Sequence, residues 1–335
     1  MYATELLNEL ASRDDVTIVT VAAPAGGGLP RTVRWLLDGG RRAGAEAQVV
    51  HCPAFVAPWR MDRPFVLTVH DTSILNFPED HAFEWRTYIR MFLSRRARAA
   101  TRVVTGTEHS RREIIRDLGV PANRVTVTPY GVAERFSKVE RPLKIGDPPL
   151  LLFPGAPTRR KNLELVLQAM AAAHPQGAFG RSRLAITGAN AEQYPHQRAH
   201  IEALGLKNRV DWRGKVPAEA MPDLIASADL VVYPSLHEGF GFPALEAMAA
   251  GTPVVASNAA CLPEVLGDGA LLVDPTDVKA FIDAVDAVLA NKDLRCGLIE
   301  KGKVRAALYT WRRCADLTVD VYRQVAVAVR PGTAG

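Results

Sequence analysis

Residues 230–246 read LVVYPSLHEGFGFPALE, and the stretch Glu238-Gly239-Phe240-Gly241-Phe242-Pro243-Ala244-Leu245-Glu246 decides how the chain folds. Leu230–Tyr233 is an apolar, β-branched run of strand length. Gly239 and Gly241 let the backbone pass close to a ligand and turn its N–H groups toward it. Pro243 suits the first turn of a helix, so a helix over 242–250 starts where the glycines end. Strand, glycine loop and helix in that order make a crossover unit of a parallel sheet. The helix N-terminus then offers its positive end to an anion such as a diphosphate. Glu238 and Glu246 bracket the loop, and a carboxylate beside a nucleotide commonly accepts hydrogen bonds from a ribose diol or a sugar hydroxyl. The plainer alternative is a solvated loop with one glutamate near a helix start.

A second loop repeats the arrangement. Gly155-Ala156-Pro157-Thr158-Arg159-Arg160-Lys161-Asn162 follows the strand Leu150–Phe153. Three cations end at Asn162, a residue suited to cap the next helix. Cations beside helix N–H groups make a phosphate site, although basic turns are also common on plain surfaces. Both loops leave strands of one domain and can open on the carboxyl edge of one sheet, where ligands bind in such folds. In the N-terminal half, His70-Asp71 follows the strand Phe65–Val69. A histidine there, with an acid to orient it, is a plausible polar contact in a cleft, and equally a structural pair.

Further strand-like runs are Val16–Val21, Val103–Thr105, Val125–Thr128, Leu184–Thr187 and Pro253–Ala256, with helix-length segments at Ala82–Arg98, Leu163–Ala173 and Phe242–Ala250. The alternation predicts an α/β protein with doubly wound parallel sheets. Ser110-Arg111-Arg112-Glu113 has the form of a capping box that opens a helix. Residues 1–10 are helical in pattern, with Leu6, Leu7 and Leu10 on one face. A doubly wound domain normally opens with a strand and a glycine turn. Neither precedes this helix, and Gly26-Gly27-Gly28 comes too late to supply the turn, so the N-terminal domain is expected to lack its first strand. SKVERPLKIGDPP at 137–149 has linker composition and divides the chain.

The 335 residues suit two domains, and 48% hydrophobic with 23% charged content excludes disorder. No run reaches the roughly 18–20 apolar residues of a membrane span, and residues 1–10 lack the order of a secretion signal. Cys52, Cys261, Cys296 and Cys314 have neither zinc nor disulfide-framework spacing, which fits reduced thiols in the cytoplasm. Net charge is only +5, yet nine arginines between Arg86 and Arg116 face just Glu108 and Glu113. That basic surface could lie on an anionic membrane or simply be solvated. Phosphate loops of the G-x-x-x-x-G-K-[ST] type, G-x-G-x-x-G fingerprints and G-x-S-x-G elbows are all absent. No Asp-x-Asp stands after a strand to hold a metal on a diphosphate.

Taken together, the chain resembles glycosyltransferase family 4, retaining enzymes of the GT-B fold in which two Rossmann-like domains face a cleft. The resemblance rests on residues 229–235 (DLVVYPS), the Glu238-x7-Glu246 segment, Glu246-Ala247-Met248-Ala249, residues 251–255 (GTPVV) and Arg160-Lys161-Asn162. His70-Asp71, Phe77-Pro78-Glu79 and residues 262–268 (LPEVLGD) are similar to the mannosyl- and rhamnosyltransferase-like branch. The sequence differs at Thr158-Arg159, where the family usually has Glu-Pro, at Tyr130 before Gly131, and at Thr107.

By that resemblance, residues 1–136 form the acceptor-side domain, 137–149 a linker and 150–310 the donor-binding domain. A closing helix over 311–328 packs back toward the first domain. Glu238 would hold sugar hydroxyls, Glu246 the ribose, and the backbone of Gly239, Phe240, Gly241 and Phe242 phosphate or sugar. Arg160 and Lys161 would offset charge on the leaving diphosphate, His70 would contact the sugar, and Asp71, Gly155 and Asn162 would line the cleft. His70, Lys161 and Glu238 are thus the expected catalytic residues. The expected partners are a nucleotide-sugar donor and a glycan or lipid-linked acceptor, with no metal, no further cofactor and no nucleic acid. The expected location is the cytoplasm, with the inner membrane face reached through residues 86–116. Two other readings are an incomplete or inactive relative that binds nucleotide without transfer, and a sugar-nucleotide epimerase.

Overall fold

The computed structural model describes residues 1–21, 47–142 and 145–328. They form two compact units, Met1–Gly131 with Thr310–Gly335, and Val132–Tyr309. The chain passes from one unit to the other at Gly131–Val132, so residues 137–149 fall within the second unit.

In the first unit, β1 (Val50–Cys52), β2 (Phe65–Thr68), β3 (Arg102–Thr105) and β4 (Val125–Val127) lie side by side in that order, all parallel. Register aligns Cys52, Leu67, Val103 and Val125 across the sheet, and all four enter one core. Val66 and Val104 point to the other face and pack with Val321 and Val325 of the helix Trp311–Ala328. Strands covered on both faces are apolar at their centres rather than alternating, as in FVLT and RVVT. Gly131 lies under the point where the chain re-enters this unit: a Cβ there would meet the Trp311 nitrogen at 2.2 Å.

The opening helix is real, Tyr2–Ala11, but its buried stripe is Tyr2, Leu6 and Leu10, with Leu7 only half-buried. Val16–Val21, expected as a strand, is irregular, and Val19 and Val21 are exposed without ladder partners among the described residues. Gly26-Gly27-Gly28 lies outside the described residues. Ser110 does not open a helix. Helix Glu108–Leu118 has its N-cap three residues earlier, at Thr107, whose side chain accepts from the Ser110 N–H. Thr107 is extended and the residues after it are helical, so Thr107 holds the cap. The segment expected as one helix over 82–98 is α-helical at Phe83–Tyr88 and Ser94–Ala99, with a π turn at Ile89–Leu93 between.

In the second unit, β5 (Leu150–Phe153), β6 (Arg183–Ile186), β7 (Val210–Trp212), β8 (Leu230–Tyr233), β9 (Val254–Ser257) and β10 (Leu271–Val273) are parallel in the order β10-β9-β8-β5-β6-β7. Renumbered within the unit this is 6-5-4-1-2-3, the doubly wound order, with its change of direction between β5 and β8. Strands β1, β7 and β10 have only three residues each, too short for a periodic signal in the sequence. Leu151, Phe153, Leu184, Ile186, Leu230, Val232 and Val255 fill one face under Leu163–Ala172 and Val278–Ala290.

Residues 137–149 have the polar, proline-rich composition of a free linker, but part of this run is tied down. The Asp229 carboxylate, in a residue 6% exposed, accepts from the Gly146 N–H at 3.1 Å and the Leu150 N–H at 2.7 Å. Removing it takes the acceptor from the half-buried Leu150 N–H and from the exposed Gly146 N–H, which water can satisfy, so Asp229→Ala should destabilise this unit by about 1–2 kcal/mol. Urea unfolding followed by Trp212, the tryptophan of the second unit, measures it; a loss under about 0.5 kcal/mol would contradict this account.

Candidate active site

Strands β5 and β8 are neighbours at the change of direction, so the loops after them leave the same edge of the sheet side by side. Gly155, with φ +109°, turns the chain out of β5 and donates its N–H to Thr187 Oγ1 at 2.9 Å. Residues Arg159–Lys161 then form a tight 3₁₀ turn. Asn162 was expected to cap the following helix, and it stands at that position but makes no side-chain cap. Its backbone is left-handed, with φ +56°, and its amide donates instead to the Pro234 and Pro275 carbonyls at 3.2 and 2.9 Å. The Leu236 N–H donates to the Arg160 carbonyl at 2.8 Å. The basic turn is therefore bonded to the loop after β8 through backbone and amide groups.

Glu238 is the meeting point. It is 7% exposed, with Oε1 2.7 Å from Lys161 Nζ and Oε2 2.8 Å from an Arg160 guanidinium nitrogen. Burial alone would raise its pKa, but Lys161 and Arg160 outweigh burial and hold it down to about 2. Lys161 feels the reverse: burial lowers its pKa, and Glu238 opposes that shift. Arg160 also donates to the His237 carbonyl at 2.7 Å, which fixes its guanidinium along the loop.

Beyond Glu238 the backbone is tightly specified. Gly241 has φ +85°, and a Cβ there would come within 2.7 Å of Leu262 Cδ2, so this position requires glycine. Phe240 is buried against Phe242 and Tyr309, with ring centroids 4.8 and 5.7 Å away. This apolar pin holds Gly239–Gly241 against the start of helix Phe242–Ala249, with Pro243 in its first turn. Glu246, one turn on, is 8% exposed. Burial pushes its pKa up to about 7, and only partial relief comes from Arg135 and then Lys161.

In the first unit, His70 Nδ1 lies 2.8 Å from the Tyr130 hydroxyl, and its ring meets Tyr2 and Phe55 edge-on at 5.0 and 5.3 Å. Burial lowers its pKa, with Asp71 opposing. Asp71, expected to orient His70, uses its carboxylate elsewhere: Oδ1 accepts from the Ser73 N–H at 2.8 Å and the Ser73 hydroxyl at 2.6 Å. The residue that bonds the imidazole is Tyr130, visible in the sequence only as an unusual residue before Gly131.

Within the second unit, then, the fold brings Arg160, Lys161 and Glu238 into direct contact and sets Glu246 on the adjoining helix. His70 and Asp71 belong to the first unit. Sequence reasoning missed Tyr233, Arg135 and Tyr130; an aromatic strand end and an arginine in a short turn carry no spacing signal. The cluster surrounds one carboxylate with cations, a donor set for an anionic group rather than for a metal ion.

Glu246 gives a test that needs no substrate. Its folded pKa is raised, so its contribution to stability is complete below the ordinary carboxylate range and is lost as pH rises through about 7. Glu246→Gln cannot ionise. It should come closest to the parent near pH 4 and exceed it near pH 8.5 by on the order of 2 kcal/mol in urea unfolding. A difference that does not change between those two pH values would refute the assignment.

With the site described, its relatives can be named. Two family models match the chain: Glycosyltransferase Family 4 over residues 1–135 and Glycosyl transferases group 1 over residues 134–305. The chain is 32% identical over 284 residues to O-antigen chain mannosyltransferase B of Escherichia coli, spanning 82% of this chain and 74% of that protein. Among solved structures it is similar to sucrose-phosphate synthase from Thermosynechococcus elongatus, with TM-score 0.75 and 22% identity, covering 98% of this chain and 93% of that one. It is also similar to Anabaena HepE solved in complex with UDP-glucose, with TM-score 0.72 and 20% identity, covering 88% and 82%. At such identities these structures speak for the fold alone. Two parallel-sheet units in this order, both family models and the mannosyltransferase identity give one conclusion: the chain belongs to the family 4, group 1 glycosyltransferases, with the GT-B fold.

Proposed function

We propose that this glycosyltransferase moves a hexose, mannose- or rhamnose-like, from a nucleotide-diphosphate sugar to a hydroxyl of a glycan or lipid-linked acceptor, with retention at the anomeric carbon. The observation that carries the reading is the Arg160–Glu238–Lys161 cluster at the change of strand direction. Without donor, the two cations are balanced by Glu238. A diphosphate supplies the same negative charge, so Arg160 and Lys161 can turn to phosphate while Glu238 turns to sugar hydroxyls. As the sugar–phosphate bond breaks, charge grows on the diphosphate. Fixed cations in a site shielded from water stabilise that change without reorganising. Glu246 accepts from the ribose diol, and His70, held neutral by burial and bonded by Tyr130, contacts the sugar. Charge neutralisation rests on protein cations, with no metal or further cofactor. A relative that is an O-antigen chain mannosyltransferase, and a neighbour crystallised with UDP-glucose, both support a nucleotide-sugar donor.

Thermal melting against GDP, UDP, dTDP and ADP with their sugars tests the donor. One nucleotide should raise the midpoint, as saturating ligand at 100 times its Kd adds about 2.7 kcal/mol. No shift with any of them would sink the reading. Lys161→Ala should lower donor turnover by about 10²–10³-fold, the scale of losing one preorganised charge contact. A loss under about threefold would remove Lys161 from the mechanism.

A surface feature favours an acceptor on a membrane. No described helix is long and apolar enough to cross one. Yet along 83–99 the exposed residues include Phe83, Met91, Arg90, Arg95 and Arg98. Phe83 is 70% and Met91 56% exposed, large for apolar side chains. Apolar anchors among arginines suit an anionic lipid surface. The protein should sediment with vesicles of anionic phosphatidylglycerol and not with neutral ones, and 0.5 M salt should release it because screening weakens the contact. Equal binding to both would exclude it.

A further inference from the structure

Tyr233 ends β8, directly before the loop that carries Glu238, and is only 1% exposed. Its ring lies beneath Lys161, with Nζ 4.4 Å from the centroid, and its hydroxyl accepts from the same ammonium at 2.6 Å. The same ammonium also holds Glu238 Oε1, at 2.7 Å. Lys161 can only donate, so the Tyr233 oxygen and the Glu238 carboxylate are both its acceptors. One buried ammonium therefore ties the strand end to the loop that carries Glu238.

Packing does not account for this hydroxyl. A phenylalanine would fill the strand end equally well, and a buried hydroxyl costs free energy unless it is hydrogen-bonded. Here it accepts from Lys161, which in turn holds Glu238, and the proposed function places both of those residues against the donor. The exchange that donor binding demands also leaves a gap that Tyr233 fills. When phosphate takes Lys161 away from Glu238, the ammonium would lose its direct carboxylate partner, whereas Arg160 keeps its bond to the His237 carbonyl. The Tyr233 oxygen is a rigid acceptor on the sheet edge that can stay with Lys161 throughout.

We propose that Tyr233 is a positioning residue: its hydroxyl fixes Lys161 and Glu238 relative to one another and retains Lys161 at the sheet edge when Glu238 turns to the sugar. The inference rests on the proposed function for what those two residues hold, but the Lys161–Tyr233 hydrogen bond can be tested without it.

The test is Tyr233→Phe in the full chain, which keeps the ring and its packing and removes one oxygen. Two readouts are taken. The first is NMR titration of the Lys161 ammonium, assigned by its disappearance in Lys161→Met. Losing the acceptor should lower the Lys161 midpoint by about half a unit or more, because hydrogen bonding favours the charged form. The second is donor turnover as a function of pH. The alkaline limb should move down with Lys161. The kcat should fall about tenfold, the size of one net hydrogen bond, with KM for the donor changing by less than about threefold. A Lys161 midpoint that stays put, with the alkaline limb and kcat as in the parent, would reduce Tyr233 to a packing residue. If the parent protein turns over no nucleotide sugar, the functional reading fails, and the Lys161 titration still decides whether Tyr233 organises the pair.

Discussion

A carboxylate almost removed from water cannot stay ionised without compensation, and Glu238 is held in that condition by two cations. Such an arrangement is costly to assemble and more costly to break, because removing one partner strands the other charge. The rest of the second unit is built to present it. The doubly wound order brings the ends of β5 and β8 together, and only there can a turn after one strand reach a loop after the other. Asn162 and Leu236 then bond the two loops to each other before any side-chain charge is considered. Gly241 has a left-handed backbone and a void too small for a Cβ. It lets the chain turn from Glu238 into a helix within a few residues.

Two glutamates eight positions apart end up with opposite titration behaviour. Both are buried to a similar extent, so burial does not distinguish them. Glu238 lies in contact with Lys161 and Arg160 and is pulled down to about 2, whereas Glu246 feels Arg135 and Lys161 without a close ion pair and rises to about 7. Proximity of cations decides the difference. A glutamate ionised at any working pH suits hydroxyls whose hydrogen bonds must persist through a reaction. A glutamate near half-ionisation gains most from a ligand that donates to it.

The first unit uses aromatic and hydroxyl groups where the second uses charges. His51 lies 2.5 Å from the Tyr322 hydroxyl and 2.8 Å from Thr68 Oγ1, and Thr68 is 3.2 Å from the Tyr2 hydroxyl. Burial, with a smaller push from His70, lowers the His51 pKa to about 4, so it packs as a neutral ring. Through these contacts the opening helix and the helix Trp311–Ala328 are both fastened to β1 and β2. His70 sits beside this group, stacked edge-on between Tyr2 and Phe55 and bonded by Tyr130. Asp71 is drawn away by a requirement nearer to it in the chain, the cap of the turn at Ser73–Asn76. A local cap two residues on competes well against a more distant partner.

By itself the sequence determined whatever depends on short-range pattern. Strands Leu150–Phe153 and Leu230–Tyr233 are where apolar runs place them, and helix Phe242–Ala249 starts where glycine and Pro243 require. Arg160, Lys161, Glu238 and Glu246 could be singled out because residue type, glycine spacing and a preceding strand all lie within a dozen positions. Strands of three residues such as Val210–Trp212 and Leu271–Val273 escaped, since they owe their conformation to neighbours already in the sheet. Val16–Val21 shows the converse: β-branched residues with no ladder partner among the described residues are irregular. Only the tertiary structure decided who holds whom. Lys161 and Tyr233 are bonded, and Asp229 fastens a segment of linker composition. Tyr130 rather than Asp71 bonds His70. Each of these pairs is separated by 60 or more positions or competes with a nearer cap. No periodicity encodes such a contact; it exists because sheet order sets which strand ends are adjacent.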